Sequence, residues 1–387
     1  PPQLATGAEV LALVQEDRLV AKSEEAVFEW CVQWWEAAER PEAELLAVMT
    51  HVRFAAMAEG FLRETVSAWP ALRSAEAQSI LTNAVLPLAG GTQVVPRSGF
   101  VPRLIYVLGG NVVGTGLSTV ELFDPQNASW KQLASMAGPR YAHGCVALDS
   151  KLYAVGGRGA TDEALDTAEV YDPQNDQWQP LANMTTARLG LGLTAVGGKI
   201  YAIGGRDGRA VLESVEAYDP QLGTWALVAS MSEKRMSHAS VMLDGKIYTM
   251  GGINVGDGGG AFDTVEVYDP QVNSWQPVAS MPQGSYNFAA AVMGGKIYVT
   301  GGVGQGSTFN PVCMYDPQAD AWTQLARMSV TRQVHASAAV GGKLYVFGGY
   351  SAVERLSTVE IYDPASGSWV QGSRLASGRG AMVAVAL

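Results

Sequence analysis

Lys199-Ile-Tyr-Ala-Ile-Gly-Gly205, followed by Tyr218-Asp-Pro220 and then Trp225, is the stretch that decides the fold. A lysine and four apolar residues end in paired glycines, an aromatic-Asp-Pro turn follows, and a tryptophan stands seven residues after the aromatic. The same register recurs. Glycine pairs stand at 109–110, 156–157, 204–205, 251–252, 301–302 and 348–349, in steps of 47 to 50 residues. The aromatics are Phe123, Tyr171, Tyr218, Tyr268, Tyr315 and Tyr362, and their tryptophans are Trp130, Trp178, Trp225, Trp275, Trp322 and Trp369. A period in this range means a propeller or a solenoid array.

Each period holds four short β-branched or aromatic runs separated by Gly, Asp and Pro, the texture of antiparallel strands. The recurring Tyr and Trp are expected to pack between neighbouring sheets, burying roughly 150 to 250 Å² each. The paired glycines are expected to let backbones approach closely near the axis. The first period lacks an opening strand, while residues 380–387 are a spare one. The C-terminal strand is therefore expected to complete the first blade and close the ring.

The Gly-Gly, Tyr and Trp register resembles the kelch repeat, and six copies carry the resemblance. Upstream, Leu19-Val-Ala-Lys-Ser-Glu-Glu-Ala-Val-Phe-Glu-Trp30 and Leu45-Leu-Ala-Val-Met-Thr-His-Val-Arg-Phe54 resemble the BACK domain of BTB-BACK-kelch proteins. Independently, Val27, Cys31, Trp34 and Trp35 fall on one face of a helix entered by Ser23 and Glu24-Glu25. The expected fold is an all-β six-bladed kelch β-propeller preceded by a small all-α BACK-like domain. The expected boundaries are 1–90 for an N-terminally incomplete BACK-like domain, 91–102 for a linker and 103–387 for the propeller, closed by 380–387.

Composition narrows the function. Over 387 residues the net charge is −11, and the longest basic cluster, Lys234-Arg235, has two members, which opposes nucleic-acid or anionic-membrane binding. No run resembles a membrane span or a signal peptide. Three distant cysteines, Cys31, Cys145 and Cys313, build neither a disulfide framework nor a CxxC site, so a reducing cytoplasm or nucleus is expected.

His143, His238 and His335 share one register, three residues after Arg140, Arg235 and Arg332. A three-histidine metal ring is the sharp reading. Leu191, Phe288 and Met382 hold that register in the other blades, so apolar packing is the stronger one. No metal, cofactor or catalytic set is expected, and the chain reads as a non-enzyme. The repeated Arg140, Arg188, Arg235, Arg332 and Arg379 are expected to serve the scaffold.

Recognition is expected on the loops that vary. Turns between first and second and between third and fourth strands are monotonous, whereas the connections on the opposite face differ in every blade. That face offers Tyr141, Tyr286, Phe309 and Tyr350 with Arg158, Arg206, Arg209 and Arg355, residue types favoured as interface anchors. The arginine clamp by which a well-known kelch adaptor holds an acidic peptide has no counterpart in Tyr141-Ala142, Leu189-Gly190, Met236-Ser237, Tyr286-Asn287 or Gln333-Val334. The resemblance implies a substrate-recognition subunit of a cullin-3 ubiquitin ligase, with cullin-3 reached only through a BTB domain missing from this sequence. The alternative it implies is a structural protein binding actin or another filament.

Overall fold

A computed structural model describes residues 104–256, 260–304 and 306–387, together with Cys31. The BACK-like expectation, apart from Cys31, and the linker lie outside the described residues. The chain divides into a unit of Pro1–Pro102 and a unit of Arg103–Leu387.

Residues 104–387 form six four-stranded antiparallel sheets, the blades of a propeller. Blade 2 shows the plan: Gly144–Leu148 innermost, then Lys151–Val155, Ala168–Asp172 and Gln177–Pro180 outermost. Blade 3 runs from Gly192–Val196 to Thr224–Val228, blade 4 from Ala239–Leu243 to Ser274–Val278, blade 5 from Ala289–Met293 to Ala321–Gln324, and blade 6 from Ala336–Val340 to Ser368–Gly372. Blade 1 takes Ile105–Leu108, Val120–Asp124 and Ser129–Leu133 from its own period and Val383–Ala386 from the end of the chain. Ile105 faces Ala386 and Leu108 faces Val383 in that pairing, and the terminal strand packs against the inner strands of both blade 6 and blade 2.

The core lies between blades. Second strands are buried along their length, as in Ile105–Leu108 and Lys199–Ile203 after its lysine. The Tyr (Phe123 in blade 1) and Trp of each repeat sit opposite one another on the third and fourth strands, with ring centroids 4.8 to 5.1 Å apart in all six blades. Each indole N–H then crosses a seam. Trp178 donates to the Ala134 carbonyl at 3.0 Å, Trp225 to Ala182 at 2.9 Å and Trp275 to Ala229 at 2.8 Å. The seven-residue spacing thus serves one sheet and ties it to the preceding one, because a buried indole needs an acceptor.

The glycine pairs do two things. Both take positive φ, 63° at Gly156 and 96° at Gly157, a conformation costly for other residues. They also clear space: a Cβ on Gly157 would lie 2.6 Å from the His143 Cβ, and one on Gly156 would lie 2.5 Å from the Arg188 carbonyl. Among the described residues no helix is long and apolar enough to cross a membrane.

Candidate functional site: the mouth of the propeller

The segment entering each inner strand carries four consecutive residues with four different tasks. In blade 2 they are Arg140-Tyr141-Ala142-His143.

The first residue is a buried lock. Arg188 donates through Nη1 to the carbonyls of Gly204 and Ser214, at 2.9 and 2.8 Å, and through Nη2 to Glu216 at 2.9 Å, with both charged side chains fully buried. Arg140 with Glu169, Arg235 with Glu266, Arg332 with Glu360 and Arg379 with Glu121 repeat the pairing. A buried ion pair tolerates its desolvation only when further hydrogen bonds satisfy it, and the glycine-pair carbonyl supplies one in each of these five blades. Blade 5 lacks both members, with Ser285 in the arginine register and Cys313 in the glutamate register. These arginines therefore serve the scaffold.

The second residue zips the segment to the loop leaving the second strand. Tyr141 and Arg158 exchange backbone hydrogen bonds of 3.2 and 2.8 Å, and Leu189 with Arg206, Tyr286 with Val303 and Gln333 with Tyr350 do likewise. The two sets of variable connections are thereby one surface.

The third residue closes a ring that the sequence reading missed. Backbone N–H groups of Ala142, Gly190, Ser237, Asn287, Val334 and Ala381 each donate to the carbonyl of another member, in a circle through all six blades at 2.7 to 2.9 Å. All six residues have φ between 46° and 60°. The available signal was the run of mostly small residues at one register, visible only once the blades are aligned.

The fourth residue is a wedge between blades. His143 places its Cβ against Gly157 of its own blade and its Cε1 where a Cβ on Gly109 of blade 1 would fall, at 2.9 Å. His238 lies likewise between Gly252 and Gly204, and His335 between Gly349 and Gly301. Phe288 and Met382 fill the same wedge in other seams. The three imidazoles thus point into three different seams, and among the described residues no three His, Cys, Asp or Glu side chains group as a metal cage. Burial first, then the neighbouring arginine, lowers each imidazole to about 3, so all three are neutral at pH 7. The third and fourth residues of all six segments line one small axial cavity of about 110 Å³.

Above it opens a wider depression of about 350 Å³. Four of the eight residues singled out from sequence line it: Tyr141, Arg158, Tyr350 and Arg355. They stand as two tiles. The Arg158 guanidinium lies 5.9 Å from the Tyr141 ring centroid, and that of Arg355 lies 5.5 Å from the Tyr350 ring. Arg158 is also held by Asp162, at 3.0 and 2.9 Å, and the Tyr141 hydroxyl donates to the same carboxylate. The Tyr141 hydroxyl and then Arg158 hold the Asp162 carboxyl below its usual range. Arg355 makes no ion pair among the described residues, which leaves its charge available.

The other four residues are placed apart from this depression. Arg206 sits in the blade 3 zip, Arg209 is exposed at the tip of the same loop, Tyr286 sits in the blade 5 zip, and Phe309 packs over Gly304. Sequence alone gave no means of separating these four from the first, because which loops lean over the axis is a property of the closed ring.

Comparison with known proteins agrees with this architecture. The family model described as the kelch motif matches residues 97–137, 139–185 and 335–376, and the one described as the FKB95 kelch-repeats domain matches 183–309. The model described as BTB And C-terminal Kelch, the BACK domain, matches residues 5–67. BACK and kelch matches in one chain mark it as a BACK–kelch protein. Among curated relatives, Kelch-like ECH-associated protein 1A of Danio rerio is 31% identical over 153 residues, covering 39% of this chain and 25% of the relative. Kelch-like ECH-associated protein 1B of Danio rerio is 32% identical over 155 residues, covering 39% and 26%. The alignment thus spans about a quarter of each relative's length.

Proposed function

We propose that this chain is the substrate-recognition part of a cullin-3 ubiquitin ligase adaptor, in which the propeller captures a protein at its mouth. One observation carries the reading. The varying loops bring two Tyr–Arg tiles to one depression of about 350 Å³, one of them holding Arg355, which makes no ion pair among the described residues, while the arginines that repeat are buried in the scaffold. Half-buried aromatics beside arginine are the common anchors of protein interfaces. The tyrosine rings and guanidinium groups gathered there support binding of a protein partner. Cullin-3 would be reached through a BTB domain, and the kelch-like relatives support an adaptor role. Cross-linking mass spectrometry on affinity-captured complexes tests the reading: cross-links are expected at Lys234, which stands beside the varying loops. Cross-links confined to the opposite face, at Lys199, Lys246 and Lys343, would contradict it.

A further inference from the structure

We propose that the flank of blade 2 is a second binding site, for an uncharged apolar residue of a polypeptide presented with its amide carbonyl. A cavity of about 500 Å³ lies there, lined by Pro139, Leu165, Trp178, Pro180, Leu181 and Arg140 among others, a size within the ordinary range of ligand pockets.

The polar handle is Arg140, only 6% exposed. Its Nε donates to Glu169 at 2.8 Å, and its Nη1 donates to the carbonyls of Gly156 and Thr167 at 3.0 and 3.1 Å. Its Nη2 has no partner among the described residues. Three of the four sister arginines place this atom on a hydroxyl, and the fourth, Arg379, sets it against Glu121 at 2.8 Å. Arg188 Nη2 donates to the Ser214 hydroxyl at 2.9 Å, and those of Arg235 and Arg332 donate to Thr264 and Thr358, both at 2.7 Å. In blade 2 the corresponding residue, Thr167, offers the guanidinium only its carbonyl. Nη2 is therefore a donor left open to a ligand or to water beside a cavity whose walls are largely apolar.

Charge selects the ligand. Glu169 already neutralises Arg140, and the carboxylate of Glu163 also lines the cavity, so the local balance is negative. An anion is disfavoured there. A cation carries no acceptor for Nη2. A neutral carbonyl on an apolar body answers both the donor and the walls.

The test uses the 387-residue chain with N-acetyl-L-leucinamide as probe, N-acetyl-L-leucine as its charged counterpart, and the variant Gly138→Trp. Gly138 lines the cavity, and a Cβ there meets nothing within 4 Å, so the ring can enter without displacing backbone. Titration followed by NMR is expected to show saturable binding of the amide, about fivefold weaker binding of the acid, and about tenfold weaker amide binding by Gly138→Trp with an unchanged melting temperature. Tyr350→Ala should bind the amide as the parent chain does, which separates this site from the mouth. Absence of saturable amide binding, equal binding by Gly138→Trp, or an acid that binds as well as the amide would each overturn the proposal.

Discussion

His238 shows how one position can look like chemistry and act as packing. Both of its ring nitrogens are buried without a hydrogen-bond partner, whereas His335 Nε2 meets the Thr300 hydroxyl at 2.9 Å. An imidazole held at about 3 in the folded chain, against the ordinary value of 6.5, binds fewer protons than the unfolded chain between those two values. Its contribution to stability is therefore fully present above pH 6.5 and is lost as pH falls toward 3. Unfolding free energies from urea titrations at pH 7 and pH 5 should differ by on the order of 1 to 2 kcal/mol per buried histidine. His238→Phe, which copies Phe288 of the neighbouring blade, should remove one histidine's share, about a third of the total over the three, and leave stability at pH 7 unchanged or higher. A loss of more than about 2 kcal/mol at pH 7 would show that the ring nitrogens hold a hydrogen-bonded partner.

At the scale of the element, blade 5 differs from the other five. Ser285 and Cys313 stand where an arginine and a glutamate stand elsewhere, so both partners are replaced together and no lone charge is buried. Arg332→Ser in blade 6 would leave Glu360 fully buried without its cation, at a cost of about 3 to 5 kcal/mol. The double variant Arg332→Ser/Glu360→Cys reproduces blade 5 and should recover most of that loss, read as melting temperature. A double variant as unstable as the single one would mean that the glycine-pair carbonyls, and not the carboxylate, are what the arginine serves. The period, the strands and the aromatic pairs were legible because they recur at fixed spacing along the chain. The arginine–glutamate lock was half legible: the arginines repeat visibly, but Glu216 lies 28 residues from Arg188 and Glu266 lies 31 from Arg235. The backbone ring was not legible, since its hydrogen bonds join residues of different blades and belong to no side-chain type.

For the whole molecule, repetition and variation divide the labour. Repeated residues close the ring, and those that escape the repeat gather at the mouth, where the eight sequence candidates separate into four that share a depression and four that do not. The pairing of Tyr141 with Arg158 was not readable from positions 17 residues apart, because it depends on the zip between two loops. The central claim is that a protein partner is held at that mouth. Its most direct measurement is the affinity of the captured partner for Tyr350→Ala, compared with Gln271→Ala in a turn of the opposite face. The account predicts a loss of roughly 1 to 4 kcal/mol for Tyr350→Ala with folding intact, and no loss for Gln271→Ala. Unchanged affinity in Tyr350→Ala together with a clear loss in Gln271→Ala would contradict it and move the binding surface to the other face.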